Sequence, residues 1–116
     1  MTDVTVYHNP ACGTSRNTLA LLKEKGVEPT VVEYLKVGWT RPQLEDLLMR
    51  MGVSAHQILR VMGTDAEALG LTKSGVSDET LIAAMVKDPK LVNRPIVVTA
   101  KGVKLCRPQD LALELL

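Results

Sequence analysis

At 116 residues, with 46% apolar and 23% charged side chains, the chain is long enough to close one domain over residues 1–116 around its own core. A formal net charge of +1, with no run of like charges, gives no footing for nucleic acid or a membrane surface, and no apolar stretch approaches bilayer length. The opening MTDVTVYHNPACG carries Asp3 and lacks a basic start followed by an apolar run. It does not read as an export signal, so a cytoplasmic location and free thiols at Cys12 and Cys106 are expected. His8 and His56 show no metal spacing with either cysteine, and no metal is expected.

Residues 3–8 alternate as a strand, with Val4 and Val6 on one face. NPACG reads as a loop. A helix is expected from about Thr14 to Lys25, with Leu19 and Leu22 on one face, basic residues in its last turn and Gly26 as its stop. TVVEYL, residues 30–35, reads as a second strand, which makes a parallel βαβ unit.

The stretch from about 40 to 90 reads as helical. Thr40 with Gln43, Ser54 with Gln57 and Thr64 with Glu67 each match a capping-box spacing ahead of apolar residues. Leu44, Leu47, Leu48 and Met51 share one helical face. Ser77, followed by Asp78 and Glu79, opens a helix to about Lys87 whose face is Leu81, Ile82 and Met85. His56 is expected to face solvent. IVVT and VKLC, joined by AKG, form a hairpin, and Pro108 stands in the first turn of a last helix. The order βαβ, helical middle, ββα outlines a thioredoxin-like mixed α/β sheet with a helical insertion between the second and third strands.

The chemistry concentrates in YHNPACGTSR. Cys12 falls between a strand end and a helix start, where backbone N–H groups lack internal partners and the helix dipole favours negative charge. A thiol there loses its proton more readily, and the same cradle accepts an oxyanion. Gly13 permits close approach of the backbone, Thr14 and Ser15 offer hydroxyls, and Arg16 and His8 can add positive charge. The competing reading is a buried structural cysteine, which the polar neighbours of Cys12 disfavour. His8 stands open between a histidine satisfied by a local hydrogen bond and a cation that lowers the thiol pKa. Cys106 reads as packing rather than as a resolving thiol. Position 15 holds serine where a C-x-x-C pair would hold its second sulfur, so an outside thiol is needed to release an adduct. The C-x₅-R spacing of a phosphatase loop is absent. Arg60, Arg94 and Arg107 stand at element ends, each readable as an oxyanion fork or as plain surface charge.

YHNPACGTSRNTL, EPT, EYL, MGVSAHQILR, NRPIVVT and LCRP together resemble the glutaredoxin-dependent arsenate reductase family along nearly the whole chain. The stretch VMGTDAEALGL after Arg60 departs from the more polar sequence common in that family. The resemblance implies a thioredoxin-like fold and reduction of arsenate to arsenite. It places the nucleophile on Cys12, the assisting histidine on His8 and oxyanion-binding arginines on Arg60, Arg94 and Arg107. From the fold, Pro95 is expected in the cis form. Glutathione is the implied co-substrate and glutaredoxin the implied partner, with no tightly bound cofactor and a monomer as the expected state. Two other readings share the fold: a redox-responsive regulator that binds RNA polymerase, disfavoured by Ser15, and a general glutathione-dependent thiol reductase.

Overall fold

The computed structural model describes residues 3–107 and 109–116. The expected role of Pro108 at the start of the last helix therefore lies outside the described residues. The chain divides into two compact units, one made of the segments up to Val37 and from Arg94 onward, the other of Gly38–Asn93.

The first unit is built on a four-stranded sheet in the order β2-β1-β3-β4. β1 (Thr5–His8) pairs in parallel with β2 (Thr30–Glu33), and antiparallel with β3 (Ile96–Thr99). β3 in turn pairs antiparallel with β4 (Gly102–Leu105). Between β1 and β2 runs α1 (Gly13–Glu24), closed by Gly26 in the left-handed region at φ 77°. The alternation in β1 sends Val4 and Val6 into a core shared with Leu22, Val97, Cys106, Ala112 and Leu115. That packing fixes α1 and the end of β1 against one another, which sets the position of the loop between them.

The second unit holds α3 (Arg41–Met51), α4 (Ala55–Ile58) and α5 (Asp78–Lys87). Thr40 and Gln43 make the reciprocal cap expected of them, and Leu44, Leu47 and Leu48 are buried. Gln57 accepts from the Ser54 backbone N–H at 3.0 Å. Ser77 caps α5 at the Thr80 N–H, and its Leu81, Ile82 and Met85 face is buried.

Four local expectations are corrected. The second strand ends at Glu33; Tyr34 and Leu35 instead begin the single turn α2 (Tyr34–Val37), which Gly38 at φ 75° terminates. The Thr64–Glu67 pattern does not open a helix. Thr64 Oγ1 donates back to the carbonyls of Arg60 and Val61, and Gly63 and Gly70 take φ of 77° and 74°, so residues 61–76 fold as successive turns. His56 is not turned to solvent: its Nε2 lies 2.7 Å from the Val76 carbonyl and ties that segment to α4. The C-terminal segment Gln109–Leu115 is a 3₁₀ helix rather than an α-helix.

Candidate active site

The loop from His8 to Gly13 is cross-braced by its own polar groups. Asn9, 4% exposed, accepts the Ala11 N–H on its side-chain Oδ1 at 3.0 Å and the Cys12 N–H on its backbone carbonyl at 3.0 Å. Its own backbone N–H donates to Ser15 Oγ at 3.1 Å. The chain then enters α1 with Cys12 as the N-cap residue in extended conformation, and the Arg16 N–H donates to the Cys12 carbonyl at 3.0 Å. No acidic residue occupies the first turn of α1, so nothing local offsets the positive end of the helix dipole beside the thiol.

Two arginines of the same unit complete the surroundings of the sulfur. Arg107 Nη1 donates to Cys12 Sγ at 3.6 Å and to the Arg94 carbonyl at 2.9 Å, which ties the end of β4 to the start of β3 across the thiol. The Arg94–Pro95 peptide is cis, and the buried Pro95 carbonyl accepts the Cys106 N–H at 2.9 Å. Burial works against ionisation of Cys12. It is outweighed by the Ser15 backbone N–H, the Arg107 guanidinium and the charge and hydrogen bonding of Arg94, and the thiol lies below its ordinary value.

His8, 7% exposed, lies with Nδ1 2.6 Å from Ser15 Oγ. Burial lowers its pKa, Glu33 opposes that and Arg16 reinforces it, so the net effect is a ring held neutral at neutral pH. Ser15, expected as a hydroxyl donor to a bound oxyanion, is instead fully buried and engaged with His8 and Asn9. Its backbone N–H is the part of it that meets the sulfur. Thr14 uses its carbonyl to accept from Thr18 Oγ1 at 2.9 Å. Gly13 opens α1, exposed, with the Arg16 guanidinium as the nearest group to where a side chain would stand. Arg60 belongs to the other unit, where its Nε donates to the Met62 carbonyl at 3.0 Å and its backbone N–H to the Leu91 carbonyl at 2.8 Å. Cys106 is fully buried in the core of the first unit, and burial pushes its thiol up to about 12. That is the environment of a packing residue, not of a nucleophile. Asn9 is the loop-bracing residue that reading the sequence missed; the Asn-Pro pair signals a turn, but its triple use of one residue is visible only in three dimensions. Among the described residues no group of three or more His, Cys, Asp or Glu side chains could hold a metal ion, and no helix is long and apolar enough to cross a membrane.

A mixed sheet with Cys12 at the mouth of its first helix and a cis-proline just ahead of the third strand defines a thioredoxin-like protein with one cysteine in that loop. More narrowly, the chain belongs to the ArsC family, whose model matches residues 7–115. It is 50% identical to the arsenate reductase of Rhizobium meliloti (strain 1021) over 113 residues, 97% of this chain and 81% of that one. To the arsenate reductase of Escherichia coli (strain K12) it is 47% identical, over all of this chain and 82% of that one. Among solved structures, the arsenate reductase from Vibrio cholerae superposes with a TM-score of 0.93 at 38% identity, covering 99% of this chain and 98% of that one.

Proposed function

We propose that this chain is an arsenate reductase in which Cys12 is the nucleophile. The observation that carries the reading is the electropositive setting of one sulfur, with Arg107 Nη1 at 3.6 Å and the Ser15 N–H of the first helical turn aimed at it. The Cys12 thiolate attacks arsenic, a sulfur–arsenic bond forms, and one arsenate oxygen leaves as water after protonation. Arg94 and Arg107, with the N–H groups at Gly13 and Thr14 of the first helical turn, offset the charge of the oxyanion. Glutathione supplies the second thiol. Two sulfurs are each oxidised by one electron as they join in a disulfide, arsenic gains two electrons, and arsenite departs. Glutaredoxin then reduces the mixed disulfide and returns Cys12 to the thiolate. Serine at position 15 and the burial of Cys106 support this dependence on an outside thiol, because neither position offers a reactive second sulfur. The reading calls for no metal and no tightly bound cofactor, and it places a monomer in the cytoplasm.

The test is a coupled assay containing arsenate, glutathione and glutaredoxin, with each omitted in turn. Turnover is expected only in the complete mixture, and Cys12→Ser is expected to abolish it while leaving thermal unfolding unchanged. Arsenite formation by Cys12→Ser would overturn the assignment of the nucleophile.

A further inference from the structure

From Val4 to Lys23 the chain carries no acidic residue. Around Cys12, Pro10, Ala11 and Gly13 are exposed and uncharged, and Arg16 is exposed one helical turn further along α1, about 5–6 Å on. Helical side chains lean toward the N-terminus of their helix, and that of Arg16 does so: its Nη2 lies 3.9 Å from where a Gly13 Cβ would stand. The guanidinium therefore lies back toward the mouth of the helix. Among the described residues it has no hydrogen-bond acceptor and no carboxylate partner. Glu33, the acid opposite His8, is paired with Lys36 at 3.5 Å.

Two anions visit this loop in the reaction proposed above, arsenate and glutathione. The charge of arsenate is met at the sulfur, where Arg107 Nη1 stands 3.6 Å from Sγ and Arg94 acts on the same atom. Arg16 is not among the cations that act on the sulfur; its charge is felt at the His8 ring. A cation set back from the reacting atom by one turn suits the second visitor. Glutathione carries a carboxylate one residue on from its sulfur-bearing residue, about 3.5 Å of chain further out. A planar guanidinium fork matches a carboxylate.

We infer that Arg16 is a specificity-determining residue, which pairs with a carboxylate of glutathione when that thiol reacts at Cys12. The inference rests on Cys12 being the nucleophile and glutathione the second thiol. No bond changes at Arg16; it selects a thiol that bears a carboxylate over one that does not.

The experiment follows mixed-disulfide formation at Cys12 in the full chain, by intact mass and peptide mapping to separate Cys12 from Cys106. The probes are glutathione disulfide and the uncharged bis(2-hydroxyethyl) disulfide. In each case the Cys12 thiolate attacks one sulfur of the probe, a new sulfur–sulfur bond forms as the old one breaks, and one thiolate leaves. Arg16→Gln is expected to lower the ratio of the two rates, glutathione disulfide over the uncharged probe, about fivefold, the size of an exposed ion pair. Arg16→Lys keeps the charge and is expected to hold most of the ratio. Added salt should lower the ratio in the unaltered protein and leave it flat in Arg16→Gln. In turnover, Arg16→Gln should raise KM for glutathione and not for arsenate. The inference is overturned if Arg16→Gln slows both probes alike, which would make Arg16 a group acting on the thiol, or if the ratio does not move. A raised KM for arsenate with that for glutathione unchanged would overturn it as well. If Cys12 reacted with neither probe, the nucleophile would be lost and the inference with it. Reaction with both probes, without turnover of arsenate, would sink the reductase reading and leave the assignment of Arg16 standing.

Discussion

Arg107 and Cys12 show how much one side chain can change the chemistry of another from the far end of the sequence. The guanidinium reaches the sulfur at 3.6 Å and the Arg94 carbonyl at 2.9 Å, so it both favours the thiolate and holds two chain segments in place around it. Arg107→Ala is expected to raise the alkylation midpoint of Cys12 and to cut the rate of arsenate reduction at neutral pH about tenfold, or ~1.4 kcal/mol of barrier. Arg107→Lys keeps the charge but cannot serve two acceptors with one planar fork, and should fall between the two. Stopped-flow alkylation across pH and steady-state reduction kinetics read the two effects separately. Unchanged midpoints in both variants would remove Arg107 from the thiol's surroundings. The sequence made Cys12 legible because a polar, glycine-containing strand-to-helix junction is a poor place for a merely packed cysteine. It did not make Ser15 legible. A serine hydroxyl in such a loop reads as a ligand donor until the fold brings the end of β1 against it and spends that hydroxyl on His8.

At the scale of elements, the caps were the most readable features and the breakers the least. Thr40 with Gln43 is a local pattern whose partners lie within one turn, so the sequence alone determines it. Thr40→Ala is expected to cost about 1 kcal/mol of stability in urea unfolding while leaving the Cys12 alkylation profile as it was, since α3 belongs to the other unit. A loss below a few tenths of a kcal/mol would show that α3 is held by its buried leucine face without help from the cap. The same pattern at Thr64 and Glu67 failed because Gly63 and Gly70 adopt positive φ on either side, and Thr64 bonds backward to Arg60 and Val61. Likewise TVVEYL carries strand-forming residues to its end, yet the β1–β2 register stops at His8 and Glu33. Beyond that rung the ladder ends, and the chain turns into α2. In each case the local signal was real and the deciding contact was non-local.

For the molecule as a whole, the three shifted groups divide its pH response into acid and alkaline arms. His8 and Cys12 have pKa values lowered on folding, so the stability they confer is present above their unfolded values and is lost as pH falls through the folded ones. Cys106 is the opposite case. Its thiol is raised from 9.0 to about 12, by burial first, with Lys104 opposing and Glu114 assisting. An unfolded chain releases that proton near pH 9, whereas the folded core retains it, so this contribution is complete below pH 9 and drains away between about pH 9 and 12. Cys106→Ala removes the titrating group together with some packing against Val6, Leu22 and Val97. The variant should therefore be less stable than the unaltered protein at pH 7 by about 1 kcal/mol. The gap should narrow, and then reverse, as unfolding is measured at rising pH. Lysines and tyrosines titrate alike in both proteins and cancel from the difference. A gap that stayed constant from pH 7 to pH 11 would show that Cys106 carries no raised pKa and that the core of the first unit admits water to its sulfur.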